Sequence, residues 1–98
     1  MNKFDLLTFE KMKNIDGVQA IVEFPNGWGA SMVKSDMSYG GKSGLFEIAV
    51  LDKDGKLSYE TDIADDVIGW QDEKDIDRIL TAISKLDSEG VSPKKITT

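Results

Sequence analysis

The sequence contains neither cysteine nor histidine. Without these side chains the chain can form no disulfide, no thiolate nucleophile, no imidazole general base and no zinc site with Cys or His ligands. Most familiar chemistries of small domains need one of these groups. We therefore expect a protein that is not an enzyme and that holds no metal and no cofactor.

Long apolar runs are also missing. No window approaches the ~20 consecutive apolar residues of a transmembrane helix, and the N-terminal residues lack the apolar stretch of a signal peptide. Together with the absence of cysteine, this pattern favours an intracellular, cytoplasmic protein without membrane contact.

The length and composition are those of one small globular domain. The chain has 98 residues, of which 40% are hydrophobic and 31% are charged. This balance is too apolar for a disordered tail, and the length leaves no room for a second domain. We expect a single α+β domain over residues 1–90 and a flexible C-terminal tail over residues 91–98.

The negative charge is concentrated in one segment. The net charge is −6, and residues 60–77 alone carry eight acidic side chains against Lys74, a net of −7. Such a field repels phosphate backbones, which disfavours direct nucleic-acid binding, and it suits a partner with a basic surface. The alternative interpretation is a solvated loop followed by a helix start, where acids stabilise the positive end of the helix dipole.

The first half of the chain predicts a short helix and two strands. Apolar side chains at mixed spacings over residues 4–15, with Asp5 and Thr8 as candidate caps, predict a short N-terminal helix. Residues 18–24 alternate as a half-buried strand does, and a second alternating run covers residues 28–34. The Asn-Gly pair between the two runs is typical of a tight hairpin.

The second half predicts two more strands and a helix. Residues 45–51 are apolar on both faces, which is typical of an internal strand. Residues 57–61 alternate between apolar and polar side chains, which predicts a fourth strand with one solvent-exposed face. After an acidic connection over residues 63–71, Asp72 is the expected N-cap of a helix that Gly90 closes. The apolar stripe of this helix consists of Ile76, Ile79, Leu80, Ile83 and Leu86.

These elements predict an α+β fold with short links between successive strands. The expected architecture is a four-stranded antiparallel meander with the C-terminal amphipathic helix packed on one face, and with a short N-terminal helix. Whether the short N-terminal helix covers the opposite face of the sheet is left open by the sequence, and an uncovered face would be a binding surface.

The glycine-rich loop over residues 38–44 is one candidate binding site. Gly41, Lys42 and Ser43 match the end of a phosphate-binding loop, but Asp36 stands where that motif needs its first glycine, and the loop leads into a strand. Two interpretations remain open, a structural loop and a flexible recognition loop. The recognition loop would bind its ligand through Tyr39, Gly40, Gly41 and Lys42.

Two groups of acidic residues are candidate metal sites. Residues 52–55 match the beginning of a calcium loop, but the spacing fails after the second Asp, so we interpret them as a turn. Asp62, Asp65 and Asp66 could gather around magnesium, although three neighbouring acids in a charged segment are weak grounds for a site. We predict no metal site.

The large amphipathic aromatic residues divide between core and interface. In so small a chain most of them belong to the core, and packing is the plainer interpretation for each of Trp28, Tyr39, Tyr59 and Trp70. Trp70 follows the acidic connection directly and is the best interface candidate. The predicted partner-binding residues are therefore Asp62, Asp65, Asp66 and Trp70.

Three segments carry a resemblance to a group of known proteins. The runs FPNGWGAS at residues 24–31, YGGKSGLFEIAVL at residues 39–51 and DDVIGW at residues 65–70 resemble small uncharacterised proteins encoded by bacteriophages and prophages. The resemblance covers about residues 18–86. It implies a phage setting and the cytoplasm of an infected cell, and no functional residues carry over because that family has no assigned activity.

Two classes of function follow. The first is a small acidic binding protein that engages a host or phage protein as an inhibitor, a decoy or a nucleic-acid mimic, by analogy with other acidic phage proteins. The second is a module that binds a small ligand or nucleotide, with Tyr39 stacking on it and Lys42 meeting an anion. An enzyme that uses carboxylates and a metal ranks third.

Overall fold

A computed structural model describes residues 3–93 of the chain. Within this range, five strands form one antiparallel sheet in which each strand pairs with its neighbours in sequence. The strands are β1 Glu10–Lys11, β2 Gly17–Glu23, β3 Gly29–Ser35, β4 Phe46–Leu51 and β5 Ile68–Gln71, and the α-helix is α1 Glu73–Ile83. The expected α+β class and the C-terminal helix are confirmed, and the described sheet has five strands where the sequence predicted four.

The alternation of β2 and β3 sets which side chains form the core. Ala20, Met32 and Ile48 pair across three strands, and each is at most 2% exposed. Because side chains alternate along a strand, the next residue, Ile21, points to the other face and is 65% exposed. In the described part of the chain no helix covers this second face.

Helix α1 covers the core face of the sheet. Its N-cap is Asp72, as the sequence predicted, and the cap is reciprocal: Asp72 accepts a hydrogen bond from the amide of Asp75 at 2.8 Å, and Asp75 accepts from the amide of Asp72 at 3.0 Å. The predicted apolar stripe is confirmed, since all five of its members are buried: Ile76, Ile79, Leu80, Ile83 and Leu86.

The predicted end of the helix at Gly90 is wrong. The helix ends at Ile83, and Gly90 instead lies in a later turn in which its amide donates to the carbonyl of Asp87 at 3.0 Å. Beyond Ile83 the chain continues in tight turns, in which the amide of Leu86 donates to the carbonyl of Ile83, and the Asn26 side chain donates to the carbonyls of Ile83 and Leu86 at 2.8 and 3.1 Å. These bonds satisfy acceptors that a longer helix would have used internally.

The predicted N-terminal helix is also wrong. Phe4–Leu6 forms a single 3₁₀ turn, and the chain then runs extended into β1. The rings of Phe4 and Phe9 pack against Phe46, with centroid distances of 5.4 and 5.3 Å. An extended segment brings both rings to the same core edge, whereas the mixed apolar spacing gave a helix no continuous stripe.

The fourth strand lies later in the chain than predicted. Of residues 57–61, only Leu57 makes a bridge, to Leu51. The partner of β4 is instead β5, inside the segment predicted to be an acidic connection, with Ile68 opposite Ile48. Ile68 extends the apolar row of the core, whereas Leu57 and Tyr59 remain exposed, so β5 and not residues 57–61 pairs with β4 beside Ile48.

The prediction that residues 45–51 form an internal strand is confirmed, because β4 lies between β3 and β5.

At the C-terminus, the amide and hydroxyl of Ser92 donate to Asp62 at 2.9 and 2.8 Å. The rest of the predicted tail, residues 94–98, lies outside the described residues. None of the helices within residues 3–93 has both the length and the apolar character needed to cross a membrane.

Candidate functional site

The glycine-rich loop and strand β5 meet at one cleft. The amide of Trp70 donates to the carbonyl of Tyr39 at 3.2 Å. The cleft has a volume of about 250 Å³ and is lined by Asp36, Ser38, Tyr39, Gly40, Lys42, Ser43 and Trp70. We call it the Tyr39–Trp70 cleft. It unites Trp70 with most of the loop residues, which the sequence had assigned to two separate candidate sites.

Two glycines make this close approach possible. A Cβ on Gly69 would lie 2.3 Å from the Cβ of Tyr39, so a larger residue at 69 would displace the tyrosine. A Cβ on Gly40 would lie 2.9 Å from the Cα of Trp70, and Gly40 has a φ of 89° that side chains disfavour. Tyr39 therefore packs against Gly69, the neighbour of Trp70, and Trp70 packs against Gly40, the neighbour of Tyr39.

A bulge in β5 turns Trp70 outward. Phe46 pairs with Gln71 and Ile48 pairs with Ile68, so one residue of β4 lies opposite two residues of β5. In a regular strand, residues 68 and 70 would face the core together. The bulge places Trp70 in the left-handed region with a φ of 60°, and its side chain is 60% exposed.

The loop itself consists of consecutive hydrogen-bonded turns. The hydroxyl of Ser38 donates to the carbonyl of Ser35 and accepts from its amide, and the amide of Tyr39 donates to Glu47 at 3.2 Å. Met37 and Tyr39 nevertheless have exposed side chains. The sequence predicted an irregular loop, because short-range serine bonds leave no periodic pattern that could reveal them.

Three amides of the loop are already used within it. The amides of Gly41, Ser43 and Gly44 donate to carbonyls of the loop itself at 3.0 to 3.1 Å. A phosphate-binding loop needs such amides free to point at the ligand. This pattern argues against a phosphate cradle here, and it leaves Lys42 as the cation of the cleft.

The acidic candidates lie outside the residues that line the Tyr39–Trp70 cleft. Hydrogen bonds from the amide and then from the hydroxyl of Ser92 hold the pKa of the Asp62 carboxyl below its ordinary value. Asp65 and Asp66 are exposed in the connection before β5, and Asp66 accepts from the amide of Val67 at 2.7 Å. Within residues 3–93, no three carboxylates gather as ligands for a metal ion.

Several residues at or near the cleft were not among the predicted site residues. Asp36, Ser38 and Ser43 line it, and Met37 is exposed two residues before Tyr39. The signal in the sequence was a methionine two residues before a tyrosine in a polar segment. A second cleft of about 320 Å³, between β1 and β2, was also unforeseen and is lined by Thr8, Glu10, Lys11, Gln19 and Ile21.

No protein-family model matches the chain, and searches of curated proteins and of solved structures returned no similar protein.

Proposed function

We propose that this is a small non-enzymatic binding protein that engages another protein through the Tyr39–Trp70 cleft and the acidic residues near it in sequence. The observation that carries the proposal is the bulge that turns Trp70 out of the core. Forgoing burial of a tryptophan and holding it in the left-handed region both cost stability, by roughly 1 kcal/mol or more each. A ring used only for packing would not need either.

The exposed side chains have the chemistry of an interface. Tryptophan, tyrosine and methionine are enriched where proteins bind one another, and Trp70, Tyr39 and Met37 are all exposed. The hydrogen bond from the Trp70 amide to the Tyr39 carbonyl holds the two backbones together before a partner arrives, which reduces the entropy that binding costs.

The charge of the surrounding segment favours a basic partner. Asp65 and Asp66 precede β5, Asp72 and Glu73 follow it, and all four are exposed. Their field would accelerate encounter with a basic surface and oppose contact with a nucleic acid. The resemblance to bacteriophage proteins makes a host or phage protein the natural partner, in the cytoplasm of an infected cell, with inhibition, decoy binding or nucleic-acid mimicry as the outcome.

The second candidate is binding of a small anionic ligand in the same cleft. It is favoured by Lys42, which lines the cleft together with two aromatic rings. The engaged loop amides weigh against it, so we place protein binding first.

The first experiment is affinity capture from host lysate with the parent protein and single variants. Trp70→Ala and Tyr39→Ala should lose the captured protein. Tyr59→Ala is the matched control, because Tyr59 is 45% exposed and lies at a different cleft. Capture that is equal for all four proteins would contradict the proposed surface.

The second experiment measures kinetics with the captured partner. Changing Asp62, Asp65 and Asp66 together to Asn should lower the association rate, most strongly at low salt, because screening acts over ~8 Å at physiological ionic strength. The control carries Asp16→Asn, Glu23→Gln and Asp54→Asn, which remove the same charge from exposed positions elsewhere. Trp70→Ala should instead raise the dissociation rate. An association rate that is independent of salt and equal in both triple variants would refute the electrostatic part.

A further inference from the structure

The turn between β2 and β3 is tied to the end of helix α1 by Asn26. Its side-chain nitrogen donates to the carbonyl oxygens of Ile83 and Leu86, at 2.8 and 3.1 Å. Its side-chain oxygen accepts from the amide of Trp28 at 3.0 Å. The indole nitrogen of Trp28 adds a bond of 2.7 Å to the carbonyl of Asp87. The half-buried Asn26 amide is therefore bonded at both of its ends.

The residue that follows Asn26 is Gly27, and an Asn-Gly pair is chemically labile. The backbone nitrogen of Gly27 can attack Cγ of Asn26, because glycine offers no side chain to hinder the approach. A bond from this nitrogen to Cγ forms, the bond from Cγ to Nδ2 breaks, and ammonia leaves with the proton that the backbone nitrogen gives up. Water then opens the resulting succinimide to aspartate or isoaspartate.

We propose that Asn26 is a deamidation site whose reaction is coupled to the fold. The folded chain suppresses the reaction, because Cγ can meet the Gly27 nitrogen only after the side chain rotates away from its three hydrogen-bond partners. The Gly27 nitrogen is itself held in the turn, where it donates to the carbonyl of Phe24 at 2.9 Å. Reaction therefore requires local opening of the junction between hairpin and helix.

The product cannot restore this junction. Aspartate at position 26 would place a carboxylate oxygen where Nδ2 now donates, facing the two carbonyl oxygens of Ile83 and Leu86. Acceptor would meet acceptor at hydrogen-bond distance, and a negative charge would lie at the negative end of the helix dipole. Each chain that reacts while unfolded is thus converted to a form that refolds less stably.

The first test compares deamidation of the parent chain in buffer and in denaturant at the same mildly alkaline pH. Mass spectrometry of the peptide containing residues 24–28 follows the loss of ammonia and the formation of isoaspartate. We expect the folded protein to react at least about tenfold more slowly, which corresponds to about 1.4 kcal/mol of opening free energy. Equal rates in the two conditions would overturn the proposed coupling.

The second test measures the consequence for stability. Asn26→Asp should lower the thermal midpoint by about 5–10 °C relative to Asn14→Asp, which adds the same charge at an exposed position. Failure of Asn26→Asp to fold, while Asn14→Asp folds, supports the proposal equally. Equal midpoints for the two variants contradict it.

A chemical control separates this reaction from hydrolysis elsewhere. In denaturant, Gly27→Ala should slow deamidation at residue 26, because the added methyl group hinders the attacking nitrogen. An unchanged rate would show that the reaction does not pass through the succinimide.

Discussion

The backbone amide of Trp70 donates to the carbonyl of Tyr39, which joins two exposed aromatic residues that lie 31 positions apart in sequence. The bond links the loop before β4 to the strand on the far side of β4. Since it is made by the backbone, it survives substitution of either side chain. Each ring can therefore be removed by substitution while the hydrogen bond between the loop and β5 is kept.

Replacing Gly69 with Ala should displace Tyr39. The new Cβ would lie 2.3 Å from the Cβ of Tyr39, and overpacking of this kind costs about 1–3 kcal/mol. In a Trp28→Phe background the emission of Trp70 should shift, because its neighbour has moved. The control is Gly55→Ala, which adds its Cβ in open space and costs only the strain of a φ of 76°. An equal emission shift in both variants would contradict the proposed contact.

Replacing Trp70 with Gly should leave stability unchanged or raise it by roughly 1 kcal/mol. Glycine adopts the left-handed conformation without the penalty that a side chain suffers there, and the ring is mostly exposed. Chemical denaturation of the parent and the variant measures the difference. A loss of more than about 2 kcal/mol would identify Trp70 as a packing residue and weaken the proposed function.

Leu80→Ala should cost about 2–5 kcal/mol, a large share of the stability of a domain this small. Leu80 lies on the buried face of α1 and is 1% exposed, so truncation leaves a cavity between the helix and the sheet. Lys74→Ala, on the exposed side of the same helix, is the control and should change the thermal midpoint little. Similar midpoints for the two variants would mean that the helix does not cover the sheet as described.

Stability should fall in acid partly through Asp62. Because the bonds from Ser92 lower its pKa in the folded state, Asp62 stabilises the fold above its ordinary value of 3.8, and this contribution disappears as the pH drops through the lowered folded value. The pKa of Asp75 is lowered as well, mainly by the hydrogen bond from the amide of Asp72 and then by Arg78. Its contribution to stability is therefore also lost as the pH falls. Thermal midpoints measured from about pH 5 to about pH 2.5 should therefore fall less steeply for Asp62→Ala than for the parent. Parallel curves for the two proteins would contradict this assignment.

Local patterns in the sequence were reliable where one short segment determines its own structure. Asp72 caps α1 through its own first turn, and the Asn26-Gly27 pair closes the hairpin between β2 and β3. The stripe from Ile76 to Ile83 identified the helix face that is buried, and Leu86, also buried, lies just beyond the helix end. Each of these features depends on residues a few positions apart, so the sequence shows it directly.

Competition between segments was decided by the tertiary structure. Residues 57–61 alternate as well as many strands do, yet β5 occupies the edge of β4, because Ile68 meets Ile48 and continues the core row. The N-terminal segment is extended because Phe4 and Phe9 reach Phe46 from that conformation. Neither outcome is visible locally, since each depends on a distant partner.

The sequence by itself determined the α+β class, the order of β2, β3 and β4, the capped helix and the concentration of negative charge before and within its first turns. It also supplied the members of the candidate site, Tyr39, Lys42 and Trp70, without indicating that they meet. Only the tertiary structure brought them to one cleft. When β5 pairs with β4, a bulge forms opposite Glu47, and Gly40 and Gly69 permit the close approach of the loop to β5. That pairing joins segments separated by about 20 residues, and the packing of the core, not any local propensity, selects it.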